Sequence, residues 1–212
     1  MEDREFALYQ RTTEVYLRYG IKNITMDLMS RELKVSKKTL YKYVDDRPEL
    51  VAKSMQWKLA GDVKVIKGIL SKNLNAIEEL WEIKNFEYNN LLNVHPSLYF
   101  DLQQYYPEAW KYCENYRNEF LYNTFLSNIK KGIKEGLYKK DFSIEVITRL
   151  YIFKVAVIFD SRIFPFSKFQ LAELYNEAVK YHLSGIVSEY GAQEMKQHLM
   201  QSSGQLISDL AY

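Results

Sequence analysis

The sequence predicts an all-α protein, because helix breakers are rare and signals for strands and hairpins are missing. Four prolines and eight glycines are spread over 212 residues, which leaves long segments without a break. No Asn-Gly or Asp-Gly pair lies between alternating apolar residues. Hydrophobic residues make up 47% of the chain, enough to fill a core. We expect about nine to ten helices, divided into an amino-terminal three-helix domain (1–50) and a larger helical domain (51–212).

The amino-terminal domain is predicted from helix caps and apolar spacing. Residues 4–19 form a helical stripe that Gly20 ends, and Thr25 is placed to cap a second helix with apolar residues at i, i+3 and i+7. Ser36 is placed to cap a short third helix that runs to about residue 43. The pattern predicts two helices joined by a tight turn at residues 34 and 35.

The larger domain is predicted from similar signals. Asp46 and Glu49 form a capping box before a long helix that reaches residue 70, and Ser143 can cap a helix apolar on almost every side. Ser167 and Gln170 predict a second capping box. The remaining helices are expected at about 74–93, 97–104, 107–136, 143–163 and 171–186, with a tail helix at 192–210.

Composition predicts a cytoplasmic protein. The single cysteine, Cys113, excludes an intrachain disulfide framework and is typical of a reducing compartment. The first ten residues are charged throughout, and no apolar run is long enough to span a bilayer. We therefore expect no membrane partner.

Positive charge is concentrated near the start of the chain. Residues 22–44 contain six basic and two acidic residues, whereas residues 58–212 contain 18 of each. A local basic face is the electrostatic footprint of a nucleic-acid-binding surface, although an ordinary solvated face has the same composition. Two lysines in the first turn of the third helix oppose the helix dipole, and an anionic partner such as phosphate would resolve that conflict.

The opening third resembles the DNA-binding domain of the TetR family of bacterial transcriptional regulators. The resemblance covers about 45 residues, in the order YG…TMDLMSRELKVSKKTLYKYV…RPEL, and the segment KKGIKEGLYKKDFSIE adds a weaker match downstream. It is carried by Gly20, Thr25, Val35, Ser36, Lys37, Thr39, Leu40, Tyr41, Tyr43 and Leu50. The chain departs from the family pattern at Lys34, where Gly is usual, and at Ser30, Val44 and Arg47.

The resemblance implies that the third helix enters the major groove of a double-stranded DNA operator. Lys37, Lys38 and Thr39 are then the candidates for base edges. Phosphate contacts, which fix register without reading sequence, are expected from the remaining candidates, Thr25, Tyr41, Lys42, Tyr43 and Arg47. Useful specificity from so short a helix implies a homodimer on a palindromic operator.

The resemblance also places a dimer surface and a ligand pocket in the larger domain. The dimer surface is expected on the last two long helices, with the alternative that the apolar helix is buried within one subunit. Its candidate residues are Ile147, Tyr151, Ile158, Leu174, Ala178 and His182. Aromatic residues suggest a pocket for a small hydrophobic or aromatic effector, although such stripes are usually packed core. The candidate ligand contacts are Trp81, Tyr88, Phe100, Trp110, Cys113, Tyr116, Phe120 and Phe153.

Two other classes of protein remain open. An enzyme is disfavoured because no metal, dinucleotide or P-loop motif is present and the three histidines have no ligand spacing. We therefore expect no catalytic residues, cofactor or metal. A helical protein-interaction module with an incidental basic patch is the second alternative. The resemblance favours a repressor, but the sequence does not identify the effector or the operator.

Overall fold

The structure, a computed structural model, describes residues 2–196 and is helical over most of that range. Its helices are α1 (Glu2–Tyr19), α2 (Met26–Leu33), α3 (Lys37–Leu40), α4 (Arg47–Leu70), α5 (Ala76–Leu92), α6 (Leu98–Tyr105), α7 (Pro107–Asn115), a π-helical segment (Tyr116–Leu121), α8 (Tyr122–Lys134), α9 (Ile144–Val157) and α10 (Leu171–Ile186). Residues 189–196 are also helical, and the rest of the predicted tail helix lies outside the described residues. The predicted all-α class is confirmed.

The predicted caps at the start of the chain are present. Oγ1 of Thr25 accepts a hydrogen bond from the Leu28 amide at 3.2 Å, and Oγ of Ser36 accepts one from the Thr39 amide at 3.0 Å. Asp46 accepts from the Glu49 amide at 2.8 Å. Each cap satisfies a backbone donor that has no partner within its helix, so the sequence fixes where these helices begin.

Helix α4 joins the two ends of the molecule. It packs against α1 near its own start and against α7 and α5 further along. Leu50, Val51 and Ile66 on this helix are completely buried. Burial of such a side chain contributes about 2 kcal/mol, so α4 is held firmly along its length.

The larger predicted domain differs from the sequence-based predictions in three features: the end of α9, the cap of α10 and a π-helical segment. Helix α9 ends at Val157 instead of residue 163, because residues 158–164 fold into turns. The predicted capping box at Ser167 and Gln170 is wrong: Gln170 is the N-cap of α10, and its side chain makes no capping hydrogen bond. The helix predicted at 107–136 contains the π-helical segment, whose wider turns shift the apolar face part-way along.

A buried polar cluster ties α5 to α8. Nδ2 of Asn128 donates to the Ala76 carbonyl at 2.9 Å and to Glu79 at 2.8 Å, and the Tyr138 hydroxyl lies 3.1 Å from the Asn128 amide oxygen. Lys131 pairs with Glu79 at 2.8 Å. Paired in this way, buried polar groups avoid the cost of an unmade hydrogen bond. Within residues 2–196 no helix is both long and apolar enough to cross a bilayer.

Candidate DNA-binding surface and ligand cavity

Lys34 forms the turn between α2 and α3 in a left-handed conformation, with φ 56° and ψ 40°. Its amide donates to the Arg31 carbonyl at 3.0 Å, and the Val35 amide donates to the Ser30 carbonyl at 3.0 Å. A residue with a Cβ loses about 1–2 kcal/mol in this conformation relative to glycine. The turn therefore has the geometry of a helix-turn-helix although lysine occupies the glycine position.

Helix α3 is anchored by apolar residues on one side and presents basic and aromatic residues on the other. Leu40 is completely buried and Val44 is nearly so. Lys38, Tyr41 and Lys42 point away from this core and are exposed. The α-helix itself is shorter than predicted, since residues 41–43 form a turn. Lys38, Tyr41 and Lys42 thus form one exposed basic surface, referred to below as the α3 surface.

The other candidate DNA contacts pair, cap or pack within the protein. Lys37 forms an ion pair with Asp27. The Thr39 hydroxyl lies 2.8 Å from that of Ser36, and Tyr43 is half-buried. Thr25, whose hydroxyl caps α2, is exposed. These side chains lie beside the α3 surface, but each has an internal role.

Arg47, the first residue of α4, contacts both the turn after α1 and the end of α6. Its guanidinium donates to the carbonyls of Ile21 and Lys22, the latter at 3.0 Å, and lies 5.8 Å from the centre of the Tyr106 ring. Because the Arg47 guanidinium already has these partners, it is less available to a DNA phosphate than the exposed side chains of Lys38 and Lys42.

A second set of contacts joins α1 to the segment around α6. The His95 amide donates to the Leu17 carbonyl at 2.6 Å, and the Lys22 amide donates to Oδ2 of Asp101 at 3.0 Å. Gly20, with φ +76°, packs so closely that a Cβ there would lie 2.9 Å from both His95 and Ser97. The sequence did not predict this junction, whose partners are about 80 residues apart.

An internal cavity of about 90 Å³ lies among α4, α5, α6, α7 and α9. One water needs about 10–15 Å³ on a comparable measure, so there is room for a small organic molecule. Three predicted ligand contacts, Trp110, Cys113 and Tyr116, line it together with Leu17 of α1. Most of its lining is apolar, with aromatic walls from Tyr99, Trp110, Tyr116, Phe125, Tyr151, Phe159 and Tyr175.

The other five predicted ligand contacts do not line this cavity. Trp81 lies against Lys84, and the Tyr88 hydroxyl donates to Glu173 at 2.7 Å. Phe100 is 44% exposed, and Phe120 lines a shallow surface groove. Phe153 is 68% exposed, because helical periodicity turns it away from the cavity-facing Tyr151, Ile152 and Val155.

Polar groups that the sequence-based analysis missed lie on one side of the cavity. The Tyr116 hydroxyl donates to Oε1 of Glu87 at 2.9 Å, and Lys58 pairs with Asp62 at 2.5 Å. Burial raises the pKa of Glu87 to about 7, and the nearby Asp62 adds to the shift. Glu87 could have been found in the sequence, since it lies four residues after Ile83 and four before Leu91 on the buried face of α5.

The cavity does not activate Cys113. Burial raises the pKa of this thiol to about 11, so it stays protonated near neutral pH, whereas a nucleophilic cysteine needs a lowered pKa. Within residues 2–196, no group of three or more His, Cys, Asp or Glu side chains is placed to hold a metal ion.

The predicted dimer residues line a groove of about 610 Å³ on the outer side of α9 and α10. Ile147, Leu174 and Ala178 are half-buried on its walls. Tyr151, Ile158 and His182 form its floor and are buried within the subunit. Burial also lowers the pKa of His182 to about 3, so the ring is neutral. The apolar side chains that protrude were not predicted as dimer contacts: Leu150, Phe153 and Tyr181 are 56%, 68% and 76% exposed.

The described residues combine a helix-turn-helix at α2 and α3 with an internal cavity among the later helices. Solved structures with this architecture include a TetR-family transcriptional regulator from Agrobacterium tumefaciens, with a TM-score of 0.69 and 12% identity over 88% of this chain and 99% of that one. FadR from Bacillus subtilis in complex with stearoyl-CoA gives a TM-score of 0.63 at 17% identity, over 84% and 97% of the two chains.

FadR from Thermus thermophilus, a TetR-family repressor solved with lauroyl-CoA, gives a TM-score of 0.56 at 16% identity, over 86% of this chain and 94% of that one. The chain therefore has the fold of TetR-family transcriptional regulators, as its resemblance predicted. No model of a known protein family matches the sequence. No curated protein matches it either.

Proposed function

We propose that this protein is a ligand-responsive transcriptional regulator that binds a palindromic operator as a homodimer, represses transcription in the cytoplasm and is released by a small, mainly apolar effector. The observation that carries the proposal is the left-handed turn at Lys34, which sets α3 across α2 with its basic side outward. Its fold, shared with regulators of transcription, supports the same conclusion.

In this proposal the α3 surface meets DNA. Lys38 is the strongest candidate for a base edge, because it is exposed at the start of α3, whereas Lys37 is paired with Asp27. Tyr41 and Lys42 contact phosphates beside it. Thr25, Thr39, Tyr43 and Arg47 complete the expected interface but also cap, pack or bridge within the protein.

The homodimer uses the groove between α9 and α10. Protruding apolar side chains there would lose their water on association, which provides most of the driving force in such interfaces. A two-fold axis through this surface would present two copies of α3 to the same face of DNA. Two half-sites arranged about that axis make the operator palindromic.

Release from DNA follows if the effector binds one arrangement of the two domains better than the other. The cavity contacts α4, which begins beside α3, and Leu17 of α1, whose carbonyl accepts from the His95 amide. A ligand that displaces these walls therefore alters the position of the DNA-binding domain relative to the cavity.

Selection of bound sequences from a random DNA pool tests the proposal. We expect a palindrome, and an affinity that falls steeply with salt because phosphate contacts release counterions. Lys38→Ala should weaken binding by about tenfold and relax the preference at one position. Lys130→Ala removes an exposed lysine on α8 and should leave binding unchanged.

The two remaining classes of protein give different results in this experiment. A protein-interaction module would enrich no sequence and would respond equally to Lys38→Ala and Lys130→Ala. An enzyme is disfavoured by the fold it shares with regulators and by the high pKa of Cys113, the one cysteine in the chain.

A further inference from the structure

The polar groups of the cavity form a compact set on its α5 side. Glu87 and Asn90 are three residues apart on α5, so their side chains lie on the same face of the helix. The hydroxyl of Tyr116, on the π-helical segment, donates to Oε1 of Glu87 at 2.9 Å. The rest of the lining is mainly apolar and aromatic; its other polar groups are the paired side chains of Lys58, Asp62 and Arg117 and the hydroxyls of Tyr99, Tyr151 and Tyr175.

Two atoms of this set have capacity to spare. Nδ2 of Asn90 is buried without a hydrogen-bond acceptor among residues 2–196. Of the two carboxyl oxygens of Glu87, only Oε1 takes part in a hydrogen bond with another side chain or backbone group of residues 2–196. An unpaired buried donor costs about 1–3 kcal/mol, which a ligand that supplies the missing acceptor would recover. The side-chain torsion that turns the Asn90 amide is soft, so it can present its donor to the cavity.

Apart from Glu87, the charged groups that line the cavity each have a partner of opposite charge. Lys58 and Asp62 form an ion pair whose side chains are only 15% and 11% exposed. Arg117 lies 4.0 Å from Glu114 and 5.7 Å from the centre of the Trp110 ring. An anionic ligand would lose its hydration without meeting an unpaired cation, and a cationic one would meet only the Glu87 carboxyl, whose burial favours the neutral acid; the lost hydration costs several kcal/mol.

We propose that the cavity takes an uncharged, mainly apolar molecule with one polar head that both donates and accepts a hydrogen bond, such as a phenol or an alcohol. Asn90 donates to the head, and the carboxyl of Glu87 accepts from it. The apolar part lies against the aromatic wall formed by Trp110, Tyr116 and Phe159. This inference rests on the proposed function, because it specifies the effector of the same cavity.

Four probes of similar size test the head group: 4-propylphenol, propylbenzene, 4-propylbenzoate and 4-propylbenzylamine. Calorimetric titration of the full chain near neutral pH should find the phenol bound about tenfold more tightly than propylbenzene, the value expected for one or two neutral hydrogen bonds. The anionic and cationic probes should bind more weakly than the phenol. The inference is overturned if either charged probe binds most tightly, or if none of the four binds.

Two variants locate the head. Asn90→Leu removes the donor at nearly constant volume and should bring the affinity for 4-propylphenol to within about threefold of that for propylbenzene. Asn89→Leu makes the same change at the exposed neighbouring position and should have no effect. A thermal melt establishes that each variant is folded. If Asn90→Leu unfolds the chain, Tyr116→Phe is the second variant; it removes the hydroxyl that holds the Glu87 carboxyl in place, so it should weaken binding of the phenol more than that of propylbenzene. Equal effects on both probes would overturn the assignment.

DNA binding is measured separately, so the two proposals can fail independently. A phenol that binds as described but does not change the affinity for the selected DNA contradicts the proposed regulation and leaves the head-group assignment intact. A charged probe that binds most tightly and releases DNA supports the regulation and overturns the assignment.

Discussion

Replacing Glu87 with Gln should change how the stability of the ligand-free protein depends on pH. Burial raises the pKa of Glu87 from an ordinary 4.5 to about 7, so the folded protein binds this proton more tightly than the unfolded chain does. The contribution of Glu87 to the free energy of unfolding is therefore greatest below pH 4.5 and is lost as the pH rises to about 7. At 1.36 kcal/mol per pH unit, the full loss is about 3 kcal/mol.

His182 acts in the opposite direction and has to be separated from Glu87. Burial lowers its pKa from 6.5 to about 3, so the unfolded chain takes up this proton first. Stability from the neutral ring is complete above pH 6.5 and falls as the solution becomes more acidic. In the unmodified protein the two effects partly cancel between pH 4.5 and 6.5, and a single pH profile would hide both.

The difference between the two proteins isolates Glu87, because His182 is common to both. Urea unfolding at one protein concentration should show Glu87→Gln gaining about 2 kcal/mol relative to the unmodified protein between pH 5.5 and 8. Glu119→Gln, at an exposed position on the π-helical segment, should give a constant difference. A constant difference for Glu87→Gln as well would refute the reasoning.

Two further predictions concern the turn and the dimer. Lys34→Gly should raise the free energy of unfolding by about 1 kcal/mol, because glycine adopts the left-handed conformation without the strain of a Cβ. Lys34→Ala removes the same charge but keeps the Cβ, so it should not raise the free energy of unfolding. Equal urea midpoints for the two variants would contradict this. Phe153→Glu should convert the proposed homodimer to a folded monomer in sedimentation velocity, because Phe153 is 68% exposed within the subunit and its replacement leaves the core intact. Phe100→Glu makes the same change on α6 and should leave the dimer intact; dimers in both would place the interface elsewhere.

Local signals in the sequence were sufficient for the amino-terminal helices. Thr25, Ser36 and Asp46 cap helices where the sequence predicted, because a cap depends on residues within four positions of it. The same local reasoning failed at Ser167 and Gln170, whose spacing matched a capping box but whose side chains do not form one. The first residues of α10, Leu171 and Ala172, are buried, so the start of this helix depends on packing against distant residues, which a four-residue motif cannot predict.

Side-chain direction in the larger domain was harder to predict. Trp110, Cys113 and Tyr116 face the cavity as expected, whereas Phe153 was assigned to it and points outward. Helix α9 is apolar on almost every side, so periodicity alone cannot say which side faces the core and which faces a second subunit. Glu87 was missed because the sequence analysis followed apolar and aromatic residues along α5 and did not consider an acidic residue on the same face.

The junction around His95 and Asp101 limits how modular this protein can be. Backbone groups of α1 and of the turn after it are bonded to residues near α6, and Gly20 leaves no room for a side chain against His95 and Ser97. A hybrid that joins residues 1–50 to the later helices of another protein with this fold would place foreign residues against this junction. Such a chimera would need to carry the matching surface from residues 95–101 with it. Exchange at residue 50 alone would break the contacts through which, in the proposed function, the cavity acts on the DNA-binding helices.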